Sequence, residues 1–197
     1  MSDDERARWD QRYASGDYVP RADPSSFLLE WLPRLPVGRA LDVATGMGRN
    51  ALALAEAGYE VDALDISGVA IDRARSRAQQ RGLEINWVVA DLDTDAFPGS
   101  DYGLITLFRY HNPRLWARLE SALAPDGWIL IEHHLQTHCR DVVGPDDDAF
   151  RIAPGELLRS FGDVRVVHYS ETVEPADDGE AVSVVARFAA CAGDPGW

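Results

Sequence analysis

A glycine-containing turn follows the first predicted strand, and its composition is typical of a site for an anionic group. Residues 41–50 read Leu-Asp-Val-Ala-Thr-Gly-Met-Gly-Arg-Asn, and a helix is predicted to begin at Asn50. Glycine lets the backbone approach a ligand closely, and the free N–H groups at a helix start attract a carboxylate or phosphate. The pattern Gly46-x-Gly48-x-x-Ala51 also fits the loose dinucleotide fingerprint. The turn alone therefore predicts a ligand without choosing its class.

Three aspartates at the ends of predicted strands narrow that choice. Asp42 precedes the turn, Asp65 closes the second strand and Asp91 follows the third, so we expect all three at the carboxyl edge of a parallel sheet. An acid in the position of Asp65 holds ribose hydroxyls in either cofactor class. A pyrophosphate beside Asp42 would cost ~1 to 4 kcal/mol in like-charge repulsion, depending on the local dielectric. The ammonium and sulfonium groups of S-adenosylmethionine would instead be attracted.

The predicted donor site extends along the same edge. Asp91 is expected to accept a hydrogen bond from the adenine amino group, while Ile66 and Leu92 enclose the ring. The donor carboxylate would use the helix N-terminus after the turn. The predicted donor-binding residues are Asp42, Ala44, Thr45, Gly46, Gly48, Arg49, Asn50, Asp65, Ile66, Asp91, Leu92 and Phe108.

If the ligand is S-adenosylmethionine, whose sulfonium carries a transferable methyl group, candidate residues for a methyl acceptor follow the fourth and fifth predicted strands. They are Arg109, Tyr110 and His111, then Glu132, His133 and His134. Transfer from a sulfonium is an in-line displacement in which alignment supplies up to ~7 to 11 kcal/mol, so a soft anionic acceptor needs no base. We assign Arg109 and His111 as the catalytic candidates because they offer positive charge and hydrogen bonds to such an acceptor.

Several of these residues also have simpler interpretations. Trp9 and Tyr13, four residues apart on the predicted first helix, either cover the pocket as a lid or only pack that helix. Arg109 would serve equally as an ion-pair partner in so acidic a protein. Imidazole and thiolate ligands that suit transition metals are present at His133, His134, His138 and Cys139. We expect no metal site there, because the last two residues fall in a predicted loop.

The order of elements predicts a doubly wound α/β fold. Helices over 3–14 and from the N-cap Asp23 to Pro33 precede the first strand. Strands at 40–44, 60–64, 85–89, 102–108 and 128–132 then alternate with helices at 50–57, 69–81 and 113–123, and a turn is predicted at 125–127. A helix over 154–161 leads to strands at 164–169 and 181–188, separated by an acidic, glycine-containing turn. The predicted sheet has seven strands, mostly parallel, with a terminal antiparallel hairpin.

Length and composition fit a single domain over residues 1–197, with N-terminal helices in 1–35 as a candidate substrate lid and a donor-binding α/β core in 36–197. No apolar run approaches the ~18 residues of a membrane span, and the polar N-terminus lacks the features of a secretory signal. The two cysteines, Cys139 and Cys191, are too few for a disulfide framework. We expect a soluble, cytoplasmic protein that is a monomer or a weak homodimer.

The charge balance disfavours a nucleic-acid or membrane partner. The chain has 33 acidic and 19 basic residues, and its net charge of −14 repels a phosphate backbone. Every basic residue is arginine, and aspartate is twice as frequent as glutamate. A lysine-free acidic surface favours a halophilic cytoplasm. The alternative is codon bias in a GC-rich genome, which favours arginine but does not require so many aspartates.

The stretch Arg39 to Asp72 closely resembles class I S-adenosylmethionine-dependent methyltransferases, in the branch related to the tellurite-resistance methyltransferase. Further matching segments are Trp9-Asp10-x-Arg12-Tyr13, Phe108-Arg109-Tyr110-His111, Leu123-Ala124-Pro125-Asp126-Gly127, Pro154-Gly155-Glu156-Leu157 and His168-Tyr169-Ser170-Glu171. Two segments depart from the family. Ala44 and Thr45 stand where relatives usually have Gly and often Cys, and Asn112-Pro113 replaces a more usual His/Arg or Asp/Arg pair. A methyl group at residue 44 narrows the loop unless its φ stays negative.

The resemblance implies methyl transfer from S-adenosylmethionine to a small-molecule acceptor, with a soft nucleophile such as a thiol, chalcogen or halide expected. Two other functions stay open. A dinucleotide-dependent oxidoreductase would explain the glycine pattern, but it conflicts with Asp42. A non-catalytic module that binds S-adenosylmethionine would explain Ala44 and the Asn112-Pro113 segment.

We expect thermal stability to increase as potassium chloride rises from dilute to molar concentration, because screening relieves repulsion among the excess carboxylates. The midpoint of thermal unfolding measures this directly, with a near-neutral relative as the control. A flat or falling midpoint would leave codon bias as the explanation of the composition.

Overall fold

The computed structural model describes residues 3–16, 21–139, 141–175 and 181–194. Its strands are β1 (Arg39–Val43), β2 (Glu60–Asp65), β3 (Asn86–Val89), β4 (Tyr102–Phe108), β5 (Leu123–His134), β6 (Arg165–Pro175) and β7 (Val182–Cys191). Its helices are α1 (Asp3–Ser15), α2 (Ser26–Trp31), α3 (Arg49–Glu56), α4 (Gly68–Arg81), α5 (Trp116–Ala122) and α6 (Glu156–Ser160).

The seven strands form one sheet in the order β3-β2-β1-β4-β5-β7-β6. β1 to β5 pair in parallel, and β7 lies antiparallel between β5 and β6. The order reverses between β1 and β4, which is where the strands of a doubly wound sheet diverge and a ligand crevice opens at their carboxyl ends. The predicted fold class is confirmed. The predicted hairpin turn includes residues 176–180, which lie outside the described residues.

Alternate residues of the strands belong to two hydrophobic core layers, which lie on opposite faces of the sheet. Leu41 and Val43 pack with α5 and α6 on one face, whereas Ala40 packs with α2 and α3 on the other. This alternation follows from the two-residue period of side chains along a strand. The consequence is that β1 and β4 are buried on both sides and hold the carboxyl edge of the sheet in a fixed place.

The N-terminal ends of two helices, α2 and α6, differ from the sequence prediction. The N-cap of α2 is Ser25 rather than Asp23, and the Ser25 hydroxyl accepts a 3.2 Å hydrogen bond from the Phe27 N–H. Ser25 is fixed there because its own N–H donates to Asn50 at 3.0 Å. The helix predicted to begin at Pro154 starts at Glu156, behind Gly155 in the left-handed conformation.

The predicted turn at 125–127 is part of β5, where it forms a bulge. Tyr102 pairs with Leu123 and Leu104 pairs with Trp128, so a single residue of β4 faces the longer segment 124–127. Gly127 is required there because a Cβ would lie 2.5 Å from the Tyr102 carbonyl oxygen. β6 also runs on to Pro175 instead of ending at Tyr169, because β7 supplies a pairing partner along its whole length.

The first helix is docked on the start of α4 through Asp10. Its carboxylate accepts hydrogen bonds from the Ser67 hydroxyl at 2.6 Å and from the Val69 N–H at 3.2 Å. These donors belong to the free N-terminal turn of α4, where a negative charge is favourable. The contact places α1 beside the ends of β1 and β2.

We expect Asp62→Ala to lower the free energy of unfolding by about 2 to 4 kcal/mol, because this buried carboxylate accepts three hydrogen bonds at the amino edge of the sheet. The donors are Arg39 at 2.8 Å, Asn86 at 2.7 Å and the buried Tyr102 hydroxyl at 2.8 Å. Urea unfolding measures the change, and Asp72→Ala, which removes an exposed partner of Arg75, is the control. A loss no larger than that of the control would contradict this account of Asp62.

Candidate active site

A cavity of about 930 Å³ opens at the carboxyl edge of the sheet, between the strand ends, α1 and the segment 143–150. This volume is near the upper end of the ~300 to 1,000 Å³ that small-molecule sites typically have. It therefore has room for a donor and a small acceptor together. Most of the sequence-predicted site residues line it.

Two buried carboxylates, Asp42 and Asp65, hold the glycine-containing turn. Asp42 accepts hydrogen bonds from the hydroxyls of Thr45 at 2.5 Å and Thr106 at 2.6 Å. Asp65 accepts from the Gly46 N–H at 2.7 Å and the Ser67 N–H at 2.9 Å. An ionised carboxylate has about four acceptor positions, so each retains capacity for a ligand. Both line the cavity, and the arrangement suits the ammonium and ribose hydroxyls of the donor.

Burial raises the pKa of both carboxyls. The pKa of Asp65 rises to about 6, chiefly from desolvation, with its two backbone hydrogen bonds acting in the opposite direction. Desolvation likewise raises the pKa of Asp42, against the hydrogen bonds from Thr106 and Thr45. A cationic ligand would offset this burial cost by neutralising the carboxylates, whereas a pyrophosphate would add to it.

The turn departs from the family at Ala44 in a way that carries strain. Ala44 has a positive φ of 54°, so its methyl group narrows the loop. A non-glycine residue in this conformation typically costs ~1 kcal/mol or more. The turn is nevertheless held firmly, because Thr45 N–H donates to the Leu64 carbonyl at 2.8 Å.

The remaining residues of the turn have separate roles. Gly48 does not line the cavity, and a Cβ on it would lie 2.5 Å from the Trp87 ring, so it is required for packing behind the loop. Arg49 and Asn50 do line the cavity, and each also fixes the N-terminal segment. Arg49 donates to the Asp23 carbonyl at 3.1 Å, and Asn50 accepts from the Ser25 N–H.

Apolar side chains line the cavity at the ends of the second, third and fourth strands. Ile66, Leu92 and Phe108 are buried and line it, as the enclosure of an adenine ring requires. Asp91 lies outside the lining, and its carboxylate accepts from the Asp93 N–H at 2.9 Å. Asp93, which the sequence analysis did not identify, does line the cavity. Only the geometry of the turn after β3 would have indicated it.

The first helix reaches over the turn, where a lid was predicted. Trp9 and Tyr13 both line the cavity, with their ring centroids 5.8 Å apart. The Tyr13 hydroxyl is so close to Gly46 that a Cβ there would lie 2.8 Å from it. Gly46 is thus needed both for its φ of 56° and for the approach of Tyr13.

At the acceptor end, Arg109 is fixed by an ion pair beneath the cavity. Its guanidinium donates to Glu132 at 3.0 Å, and Arg187 donates to the other oxygen of Glu132 at 2.7 Å. Arg109 itself has φ of 63°, a strained conformation of the kind that clusters at functional sites. The ion-pair interpretation and the pocket interpretation of Arg109 therefore both describe the structure.

His111 is held through both ring nitrogens. Nε2 lies 2.8 Å from a Glu156 carboxylate oxygen, and Nδ1 lies 3.2 Å from the Ala149 carbonyl oxygen. Both partners are acceptors, and either ring nitrogen can carry the hydrogen that is donated. Its ring also stacks on that of His133, with centroids 6.0 Å apart. Both ring nitrogens of His111 are thus engaged, and its ring is fixed beside that of His133.

His133 and His134 line the cavity beside His111, and both are neutral. We call these three histidines the histidine wall of the acceptor end. Desolvation lowers the pKa of His133 to about 3 and that of His134 to about 2. His133 Nε2 lies 2.7 Å from the Phe150 carbonyl oxygen, and Arg109 lies 3.3 Å from the ring nitrogens of His134. Within the described ranges, no group of three or more His, Cys, Asp or Glu side chains has an arrangement that could hold a metal ion.

Comparison with known proteins agrees with this geometry. Residues 40–127 match a family described as a methyltransferase domain. The ribosomal protein L11 methyltransferase of Symbiobacterium thermophilum is 30% identical over 134 residues, covering 66% of this chain and 44% of that protein. TehB from Haemophilus influenzae superimposes with a TM-score of 0.75 at 19% identity, over 93% of this chain and 66% of TehB. Residues 40–127 thus match a methyltransferase domain, and the chain has the Rossmann-like fold of the methyltransferases that it resembles.

A SAM-dependent methyltransferase from Aquifex aeolicus gives a TM-score of 0.66 at 18% identity, over 92% of this chain and 97% of that one. The resemblance found in the sequence is confirmed, as is S-adenosylmethionine as the cofactor of this class of methyltransferase domain. The chain spans less than half the length of the curated relatives it matches. Among the described residues, no helix combines the length and apolar character needed to cross a membrane.

We expect the affinity for S-adenosylhomocysteine to fall as pH decreases below about 6, the pKa of Asp65. Ribose hydroxyls donate to the ionised carboxylate, so binding is strongest above that pH and weakens by up to ~tenfold per unit below it. Calorimetric titrations between pH 8 and 5 measure the dependence. Asp65→Asn should bind less tightly at pH 8 and lose the step near pH 6, and retention of the full step would remove Asp65 from the donor site.

Proposed function

We propose that the chain transfers a methyl group from S-adenosylmethionine to a small, soft nucleophile such as a thiolate, a chalcogen anion or a halide. The observation that carries this proposal is the pairing, in one cavity, of buried carboxylates at the donor end with cationic side chains at the acceptor end. When bound, S-adenosylmethionine supplies an activated methyl group on a sulfonium. The protein's contribution is then to bind, align and desolvate the reactants.

The charges of the cavity support an anionic acceptor. In a chain with net charge −14, six arginines line this cavity: Arg8, Arg12, Arg21, Arg49, Arg109 and Arg114. Five carboxylates line the same cavity, those of Glu5, Asp42, Asp65, Asp93 and Asp146, so its charge is nearly balanced although the whole chain is strongly acidic. This balance lowers the repulsion that an anion would otherwise meet. We assign Arg109, through its charge, and His111, through hydrogen bonding, to hold the acceptor in line with the methyl group.

The side chains at the acceptor end also disfavour an acceptor that must lose a proton. His111 has both nitrogens engaged, and the pKa values of His133 and His134 lie far below neutrality. Burial raises the pKa of Tyr110 to about 12. None of these side chains is suited to take a proton from a hydroxyl at pH 7. A nucleophile that is already anionic needs no such step.

The proposal extends to the surroundings of the reaction. From the acidic surface we infer that the protein works in a halophilic cytoplasm and binds neither nucleic acid nor membranes. We further propose that its acceptor is a small molecule and that the chain is a monomer or a weak homodimer. We also retain residues 1–35 as a substrate lid of a single domain, with Trp9 and Tyr13 excluding water. The second candidate function is a non-catalytic donor-binding module, which the strained Ala44 favours.

The test is release of S-adenosylhomocysteine in molar potassium chloride with hydrosulfide, benzenethiol, selenite, iodide, catechol and benzoate as acceptors. We expect turnover with the soft anions and little with catechol or benzoate. Preference for catechol or benzoate would overturn the acceptor class. No release with any acceptor, despite donor binding, would favour the non-catalytic module.

Arg109→Ala should lower turnover by about tenfold to a thousandfold, or ~1.4 to 4 kcal/mol, while S-adenosylhomocysteine affinity stays unchanged. Arg109→Lys keeps the charge near Glu132 and guards against a folding defect in the first variant. The exposed Arg34, which pairs with Glu30, provides the control variant Arg34→Ala. Equal turnover of the Arg109 variants and the control would exclude Arg109 from catalysis.

A further inference from the structure

Arg151 is a buried cation without an ion-pair partner among the described residues. It is 4% exposed, and its guanidinium donates only to backbone carbonyls. Those are Pro145 at 2.7 Å, Leu135 at 3.1 Å and Val143 at 3.4 Å. The buried guanidinium is satisfied by these three hydrogen bonds, and its removal would leave the three carbonyls without this donor. Arg151 therefore connects the three chain positions that carry these carbonyls.

Two of the three carbonyls that Arg151 binds, those of Val143 and Pro145, belong to residues that line the cavity at its acceptor end. We define the acceptor loop as residues 142–150, of which Val143, Gly144, Pro145, Asp146 and Phe150 line the cavity. Chain entry and exit are joined at its base, where the Ile152 N–H donates to the His134 carbonyl at 2.9 Å and the Gln136 N–H donates to the Ile152 carbonyl at 2.8 Å. Arg151 spans this base and reaches into the loop.

The acceptor loop also contacts the three histidines of the wall. The Ala149 and Phe150 carbonyls are partners of His111 and His133. Gly144 lies directly on the His134 ring, where a Cβ would be 2.7 Å from it. A displacement of the loop would therefore change the position of each histidine and the size of the acceptor end.

We propose that Arg151 is a positioning residue for the methyl acceptor, fixing the acceptor loop so that it and the three histidines form a wall of defined shape. This rests on the proposed function for its effect on catalysis, but its effect on the loop does not. The role requires the fork of guanidinium donors, because three separate carbonyls are held at once.

The experiment compares the unmodified chain with Arg151→Met, Arg151→Lys and the control Arg159→Met. Arg159 is exposed on α6 and also donates to a backbone carbonyl, that of Pro154 at 2.9 Å, but it does not line the cavity. Amide hydrogen exchange is followed over residues 142–150 and over β1 and β4. Acceptor KM with hydrosulfide or benzenethiol and the Kd for S-adenosylhomocysteine are measured in parallel.

We expect Arg151→Met to increase exchange in residues 142–150 by about tenfold or more, with β1 and β4 unchanged. Acceptor KM should rise by about tenfold while the Kd for S-adenosylhomocysteine changes less than about twofold. Arg151→Lys should recover part of both effects, and Arg159→Met should show neither. Unchanged loop exchange, or a parallel increase in β1 and β4 that marks general destabilisation, would overturn the proposal. Absence of methylation by the unmodified chain would contradict the proposed function, and loop exchange would still decide whether Arg151 positions the loop.

Discussion

The site depends on Asp65, the buried carboxylate at the carboxyl end of β2. One of its oxygens accepts from Gly46 in the turn after β1, and the other accepts from Ser67 at the start of α4. The hydroxyl of the same Ser67 donates a hydrogen bond to the carboxylate of Asp10 in α1. One acid thus connects the glycine turn, the fourth helix and, through Ser67, the first helix. The burial of this carboxylate and the strain at Ala44 both occur where we propose that the donor binds.

At the acceptor end, the buried acid Glu132 lies beneath the cavity and the histidines lie above it. Glu132 is paired with Arg109 and Arg187, so Arg109 presents a fixed guanidinium without an unpaired buried charge. His111 is held by Glu156 and by a loop carbonyl. His133 and His134 stay neutral because they are desolvated and lie near arginines. In the proposed function, an acceptor would therefore meet a guanidinium that Glu132 holds in place, beside two neutral histidines.

The sequence predicts the parts of this structure that depend on local pattern. Alternating strands and helices predicted the sheet, and acids at the ends of β1 and β2 predicted the donor edge, because these signals are local or follow from the geometry of parallel strands. Contacts between distant segments were not predictable. Ser25 replaces Asp23 as a cap because of Asn50, and His111 is engaged by Glu156, 45 residues away. Arg151 carried no sequence signal, because its partners are backbone carbonyls.

The central claim is that the carboxylates around the turn select a sulfonium donor over a dinucleotide. Isothermal calorimetry of the purified chain tests it most directly, with S-adenosylmethionine, S-adenosylhomocysteine, NAD and NADP titrated under the same conditions. The account predicts saturable heat from S-adenosylmethionine, competition by S-adenosylhomocysteine and no binding heat from either dinucleotide. Saturable heat from NAD or NADP, together with none from S-adenosylmethionine, would contradict it.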